Sequence, residues 1–140
     1  MIEYVYRHRV RYRECDPMGL VYHTHYIDYF EASRTEALRA MGLAYKELED
    51  AGVIMPVVDL AVHYHRPARY DDVLEITSKI DEVPATRVRI AYEVRRAGEP
   101  AVLVTGHVTL CFVDAARNRP IRAPQAVMDV FARALAADAT

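Results

Sequence analysis

Apolar and polar positions alternate from the first residues of the chain. Tyr4, Tyr6, His8, Val10 and Tyr12 interleave with Val5, Arg7, Arg9 and Arg11. A period of two puts the first set on one face and the arginines on the other, which predicts a strand with one buried face and one basic face. From about Thr24 to Met41 the period changes. Ile27, Phe30, Ala37, Leu38 and Met41 recur at helical spacing, Thr24 suits an N-cap, and Gly42 suits a C-terminal stop. Leu43 to Ala51 reads as a short second helix ended by Gly52.

Strand patterns return after that. Pro56 to His65 and Asp72 to Glu82 are two runs, and Thr86 to Arg95 with Ala101 to Val113 form a hairpin around Ala97-Gly98-Glu99-Pro100. The run AVLVTGHVTLCFV is apolar on both faces, which predicts a central strand. Gly106 within it marks a bulge or a close backbone approach. Pro124 opens a terminal helix carrying Val127, Val130, Phe131 and Leu135. Strands joined by tight turns favour an antiparallel sheet, and one long apolar helix must pack on a face of it, so the expected class is α+β.

Composition narrows the function. A chain of 140 residues fits one domain, residues 1–140, with a real core. The formal charge of −2 offers no bulk attraction to nucleic acid or to an anionic membrane. No apolar run approaches ~18 residues, so no membrane-inserted helix is expected. The chain starts at once as a strand pattern, without a signal-peptide layout. Two cysteines, Cys15 and Cys111, make no disulfide framework, and the expected compartment is cytoplasmic.

The candidate chemistry gathers where the first strand gives way to the long helix. Asp16 sits on the turn Cys15-Asp16-Pro17-Met18-Gly19. Asp before Pro serves turns and caps helices, so a structural role is one reading. In the other, Asp16 is a base or nucleophile, and Tyr12, His23 and Tyr26 converge on it from the flanking strand and helix. The first N–H groups of a helix have no intrahelical partner and can hold an oxyanion.

Other groups compete for attention. His23 with His25, and His63 with His65, form two His-x-His pairs, but no carboxylate is spaced to complete a metal site, and no metal is expected. Cys15 is adjacent to Asp16, yet alternation points neighbouring side chains opposite ways. Arg7, Arg9 and Arg11 suit a solvated face. Arg87 and Arg89 repeat that pattern on a later strand, and Arg117, Arg119 and Arg122 cluster near a late loop. Exposed charge is mostly solvation, although each group suits a phosphate.

The segment Tyr12-Arg13-Glu14-Cys15-Asp16-Pro17-Met18-Gly19-Leu20-Val21-Tyr22-His23 resembles the active-site signature of hotdog-fold acyl-CoA thioesterases. In particular it resembles the YbgC-like branch of the 4-hydroxybenzoyl-CoA thioesterase family. YIDYFEASRTEAL (26–38), VHYHRPARYDDVLEI (62–76) and VTLCFVD (108–114) with Arg119-Pro120 resemble later segments of that branch in the same order. The resemblance implies a hotdog: an antiparallel sheet wrapped around one long central helix. It implies Asp16 as catalytic carboxylate, Tyr12 and His23 beside it, and the His23 backbone N–H as oxyanion donor. It further implies an acyl-CoA substrate, a homodimer or homotetramer with sites at subunit interfaces, and no cofactor, coenzyme A being part of the substrate. Arg87, Arg89, Arg117 and Arg119 are then the expected contacts for the CoA phosphates. Cys15 departs from the branch, whose members commonly carry Thr there. An acyl-binding module without turnover, and a thioesterase acting on acyl-carrier protein, are the alternatives.

Overall fold

The computed structural model describes residues 1–138. Seven strands form one antiparallel arrangement: β1 (Ile2–Arg9), β2 (Val53–Ile54), β3 (Val57–Tyr64), β4 (Val73–Ile80), β5 (Arg87–Arg96), β6 (Val102–Asp114) and β7 (Arg119–Ile121). The long strands run in the order β1-β4-β5-β6-β3, with β2 and β7 pairing to the far end of β6. Three helices accompany them: α1 (His25–Ala40), α2 (Tyr45–Asp50) and α3 (Gln125–Asp138). This is the expected α+β architecture, one long helix cradled by an antiparallel sheet. Among the described residues no helix is long and apolar enough to cross a membrane.

The helix is seated by its apolar stripe. Tyr26, Tyr29, Phe30, Ala37 and Leu38 are buried, and Phe30 stacks flat on Tyr92 of β5 with ring centroids 4.3 Å apart. Ser33 is buried too, and its hydroxyl bonds Ile76 O at 3.1 Å and Ser78 Oγ at 2.7 Å. Gly106 marks a close approach rather than a bulge. A Cβ there would lie 2.6 Å from Ala61 O and 2.7 Å from the Phe30 ring. At the helix end, Gly42 takes φ +96°, its N–H bonds Arg39 O, and Leu43 N–H bonds Leu38 O. That is the paired closure expected when a left-handed residue ends a helix.

Two expectations need correction. Alternation continues in the sequence to Tyr12, but β1 stops at Arg9, because Val10 N–H turns to Asp72 O and Tyr12–Glu14 wind into a 3-10 turn. Thr24 does occupy the N-cap position, but with helical φ and ψ and no side-chain cap bond. The first turn of α1 is therefore not closed by its own cap.

The backbone of α1 lies nearest β1 and β4, and it reaches β3 only through side chains such as Tyr26 on Tyr64. Val57, Val58, Leu60 and Tyr64 of β3 are exposed, and beyond β6 the strand has no other partner among the described residues.

Candidate active site

The Asp16 turn is a small closed loop. Cys15 and Val21 form an antiparallel bridge, Tyr22 N–H bonds Glu14 O at 2.8 Å, and Asp16 N–H bonds Leu20 O at 2.8 Å. Gly19 supplies the φ of +79° that the reversal needs, and its N–H bonds Asp16 O. Within this loop the carboxylate is fixed on one side only. Asp16 Oδ1 accepts from Met18 N–H at 2.9 Å and Leu20 N–H at 3.2 Å. Oδ2 has no partner among the described residues.

Asp16 and His23 line the same cleft, of about 400 Å³, together with Val21, Tyr26, Tyr64 and Arg66. His23 lies just before α1, and neither its backbone N–H nor that of Thr24 meets an acceptor among the described residues. Tyr64 Oη donates to His23 O at 2.8 Å, which holds that peptide plane. The Tyr64 ring also meets His23 and Tyr26 edge-on. Burial pushes the Tyr26 hydroxyl up to about 12, so it stays protonated at neutral pH. The cleft thus pairs one unengaged carboxylate oxygen with N–H donors at the positive end of a helix dipole. Such a site can attack or hydrate an acyl carbonyl while stabilising the oxyanion that forms.

Other sequence candidates lie elsewhere. Tyr12 is 80% exposed and packs edge-on against Tyr70, with centroids 5.6 Å apart. It makes no bond to the carboxylate, because the 3-10 turn swings it off the strand face. It borders Asp16 only across a second depression, shared with Cys15 and Pro17. Cys15 packs against the core instead of lining the main cleft, and burial, with the charges of Asp16 and Glu14, pushes its thiol up. The histidines do not assemble: His25 pairs with Asp28 and His65 with Thr105. Among the described residues no three His, Cys, Asp or Glu side chains are arranged to hold a metal ion.

The arginines expected at the CoA phosphates do not reach this cleft within one protomer. Tyr64 pairs with Val104, whereas Arg87 pairs with Cys111, seven residues further along β6 (104 to 111). At roughly 3.3 Å per residue that is about 23 Å. Arg89 pairs with Thr109, Arg119 with Asp114, and Arg117 lies on the turn beyond, so all four sit towards the opposite end of the sheet. Arg66 is the arginine at the cleft, and sequence reasoning missed it along with Tyr64. The Arg66-Pro67 step, where a proline follows the β3 run and ends its pairing, was the available signal.

A second omission is Glu14. Its side chain is only 12% exposed, and its Oε1 accepts from Arg11 N–H at 2.7 Å, His8 Nε2 at 2.8 Å and Tyr29 Oη at 3.1 Å. Burial opposes the charged form, but the bonds from Arg11, His8 and Tyr29 prevail and hold this carboxyl below its ordinary value.

With this geometry in hand, comparison with known proteins is informative. Residues 10–131 match the model of the thioesterase-like superfamily. The chain is 32% identical over 123 residues to the acyl-CoA thioester hydrolase YbgC of Escherichia coli O6:H1, covering 88% of this chain and 91% of that protein. It is 32% identical over 124 residues to the acyl-CoA thioesterase YbgC of Haemophilus influenzae, covering 88% and 90%. The crystal structure of a DHNA-CoA thioesterase from Staphylococcus aureus superposes with a TM-score of 0.90 at 25% identity, over 99% of this chain and 95% of that one.

Proposed function

The chain belongs to the thioesterase-like superfamily and is a thioester hydrolase, and from that premise we propose that it cleaves short-chain or aromatic acyl-CoA thioesters with Asp16 as the reacting carboxylate. The supporting observation is the juxtaposition in one cleft of Asp16, with Oδ2 unengaged, and the unpaired N–H of His23. The thioester carbonyl oxygen accepts from that N–H and is polarised by the start of α1. Asp16 then either attacks the carbonyl carbon, giving a mixed anhydride that water hydrolyses, or takes a proton from the water that attacks it. Both routes expel the CoA thiolate and place negative charge on the same oxygen. The bonds to Oδ1 fix the carboxylate's rotation so that Oδ2 faces its work without reorganisation. No metal or redox cofactor enters this scheme, since coenzyme A is part of the substrate.

On this reading the enzyme acts as a homodimer or homotetramer. The bare β3 edge supports a second copy. Arg87, Arg89, Arg117 and Arg119 contact CoA at Asp16 only when another protomer presents them. His23 serves through its backbone, and Tyr12 meets substrate, not the carboxylate.

The test is release of free thiol from a panel of aliphatic and aromatic acyl-CoAs, repeated with the best acyl group on acyl-carrier protein. Asp16→Asn should lower kcat by about 10²–10⁴-fold. Wild-type turnover by that variant would remove Asp16 from the mechanism, and preference for the carrier protein would move the substrate class.

A further inference from the structure

We infer that Glu14 is a positioning residue, a buried clasp that holds the Asp16 turn and the start of α1 in the relative geometry the reaction needs. The inference rests on the reading of Asp16 and His23 given above. Glu14 stands two residues before Asp16, and it grips both sides of the cleft. Through its side chain, Oε1 joins His8 of β1, the Arg11 N–H of the 3-10 turn and Tyr29 of α1. Through its main chain, its carbonyl accepts from Tyr22 N–H, the residue before His23.

The grip continues along the cleft wall. The Tyr29 ring packs on His8 at 4.6 Å between centroids and edge-on to Tyr26 at 5.7 Å. Tyr26 meets Tyr64, and the Tyr64 hydroxyl holds the His23 carbonyl. A carboxylate kept this far from water is a poor way to gain stability, because its desolvation cancels much of what its bonds return. Its value lies in geometry: three donors from three elements meet at one oxygen, so a shift of any of them breaks a bond. Reaction rates respond steeply to such shifts, since misplacing reacting groups by about 1 Å costs up to about 10²-fold.

Glu14→Ala should lose about tenfold or more in kcat, with KM held within about threefold, because the acyl cleft itself is untouched. Glu14→Gln keeps an oxygen that accepts from the same three donors and should stay within about threefold of wild type in kcat. Tyr29→Phe removes one bond and should fall between them. Val127→Ala, buried in α3, serves as a control that lowers the melting temperature without moving kcat. A folded Glu14→Ala protein with wild-type kcat would overturn the clasp. So would an equal loss of kcat in Val127→Ala at an equal loss of melting temperature. If Glu14→Ala does not fold, wild-type kcat in Tyr29→Phe overturns it. Absence of thiol release by the wild type would overturn the functional reading and this inference with it. Wild-type turnover with unaffected variants would overturn the clasp alone.

Discussion

Glu14 carries its charge where only 12% of its side chain meets water, and the consequence for stability has a definite sign. Its folded carboxyl titrates below the ordinary value of 4.5. The native state therefore binds fewer protons than the unfolded state across that interval, and stability rises with pH there. The contribution is fully present above about 4.5 and is lost as pH falls through the folded value. Urea midpoints of wild type and Glu14→Gln should differ by a constant amount from pH 5.5 to 7, on the order of the charged hydrogen-bond term, and converge once pH has fallen through the lowered folded value. A gap that persists at low pH would show that the carboxylate's charge is not what the clasp uses. Asp16 presents the opposite case, a carboxylate left half-engaged. Its position was legible in the sequence because Asp-Pro-x-Gly is turn chemistry with a short reach. The roles of Glu14 and Arg66 were not, because their partners, His8, Tyr29 and the Tyr64 cleft, come together only when β1, α1 and β3 are in place.

At the scale of elements, the long periodic segments and the short helix α2 were legible, apart from the end of β1, whereas the shortest elements were not. β1, α1 and β6 each carry enough residues for a period to show. β2 and β7 have two and three residues, and the 3-10 turn has three, too few for any period. That turn did leave one trace: Glu14 stands three residues after Arg11 and accepts from its N–H, the arrangement that closes helical N-termini. Gly106 shows a sequence signal whose physical content the structure defines. The Phe30 ring can lie flat on Tyr92 because the neighbouring position on β6 has no side chain. Gly106→Ala should destabilise the fold by about 1–3 kcal/mol, the usual cost of overpacking a filled core. Pairing it with Phe30→Leu should recover only part of that loss, because the clash with Ala61 O is with backbone. Urea denaturation of the single and double variants checks both statements.

For the whole molecule, the decisive feature is what α1 leaves uncovered. α1 covers the inner face of β3 only in part, so Leu60 and Tyr64 stay 39% and 50% exposed although they share the face of buried Val104 and Val108 and Tyr64 meets Tyr26. An unpaired edge with such side chains invites pairing with another chain. Antiparallel pairing of two β3 strands about a two-fold axis would extend one sheet into the next. It would also set the Tyr64 end of one strand beside the Val57 end of the other. That arrangement carries the far end of each protomer, where Arg87 and Arg119 lie, towards its partner's Asp16 cleft. Light scattering on the eluted wild-type protein should therefore give at least twice the 16.0 kDa chain mass. Leu60→Asp should shift it towards the monomer, since a charge would be buried without a partner. If the arginines serve across the interface, the monomeric variant should lose affinity for full acyl-CoA far more than for a truncated acyl thioester lacking the nucleotide. Equal losses on both substrates would take the partner's arginines out of CoA binding, and a monomeric wild type with full activity would remove the second copy from the reaction.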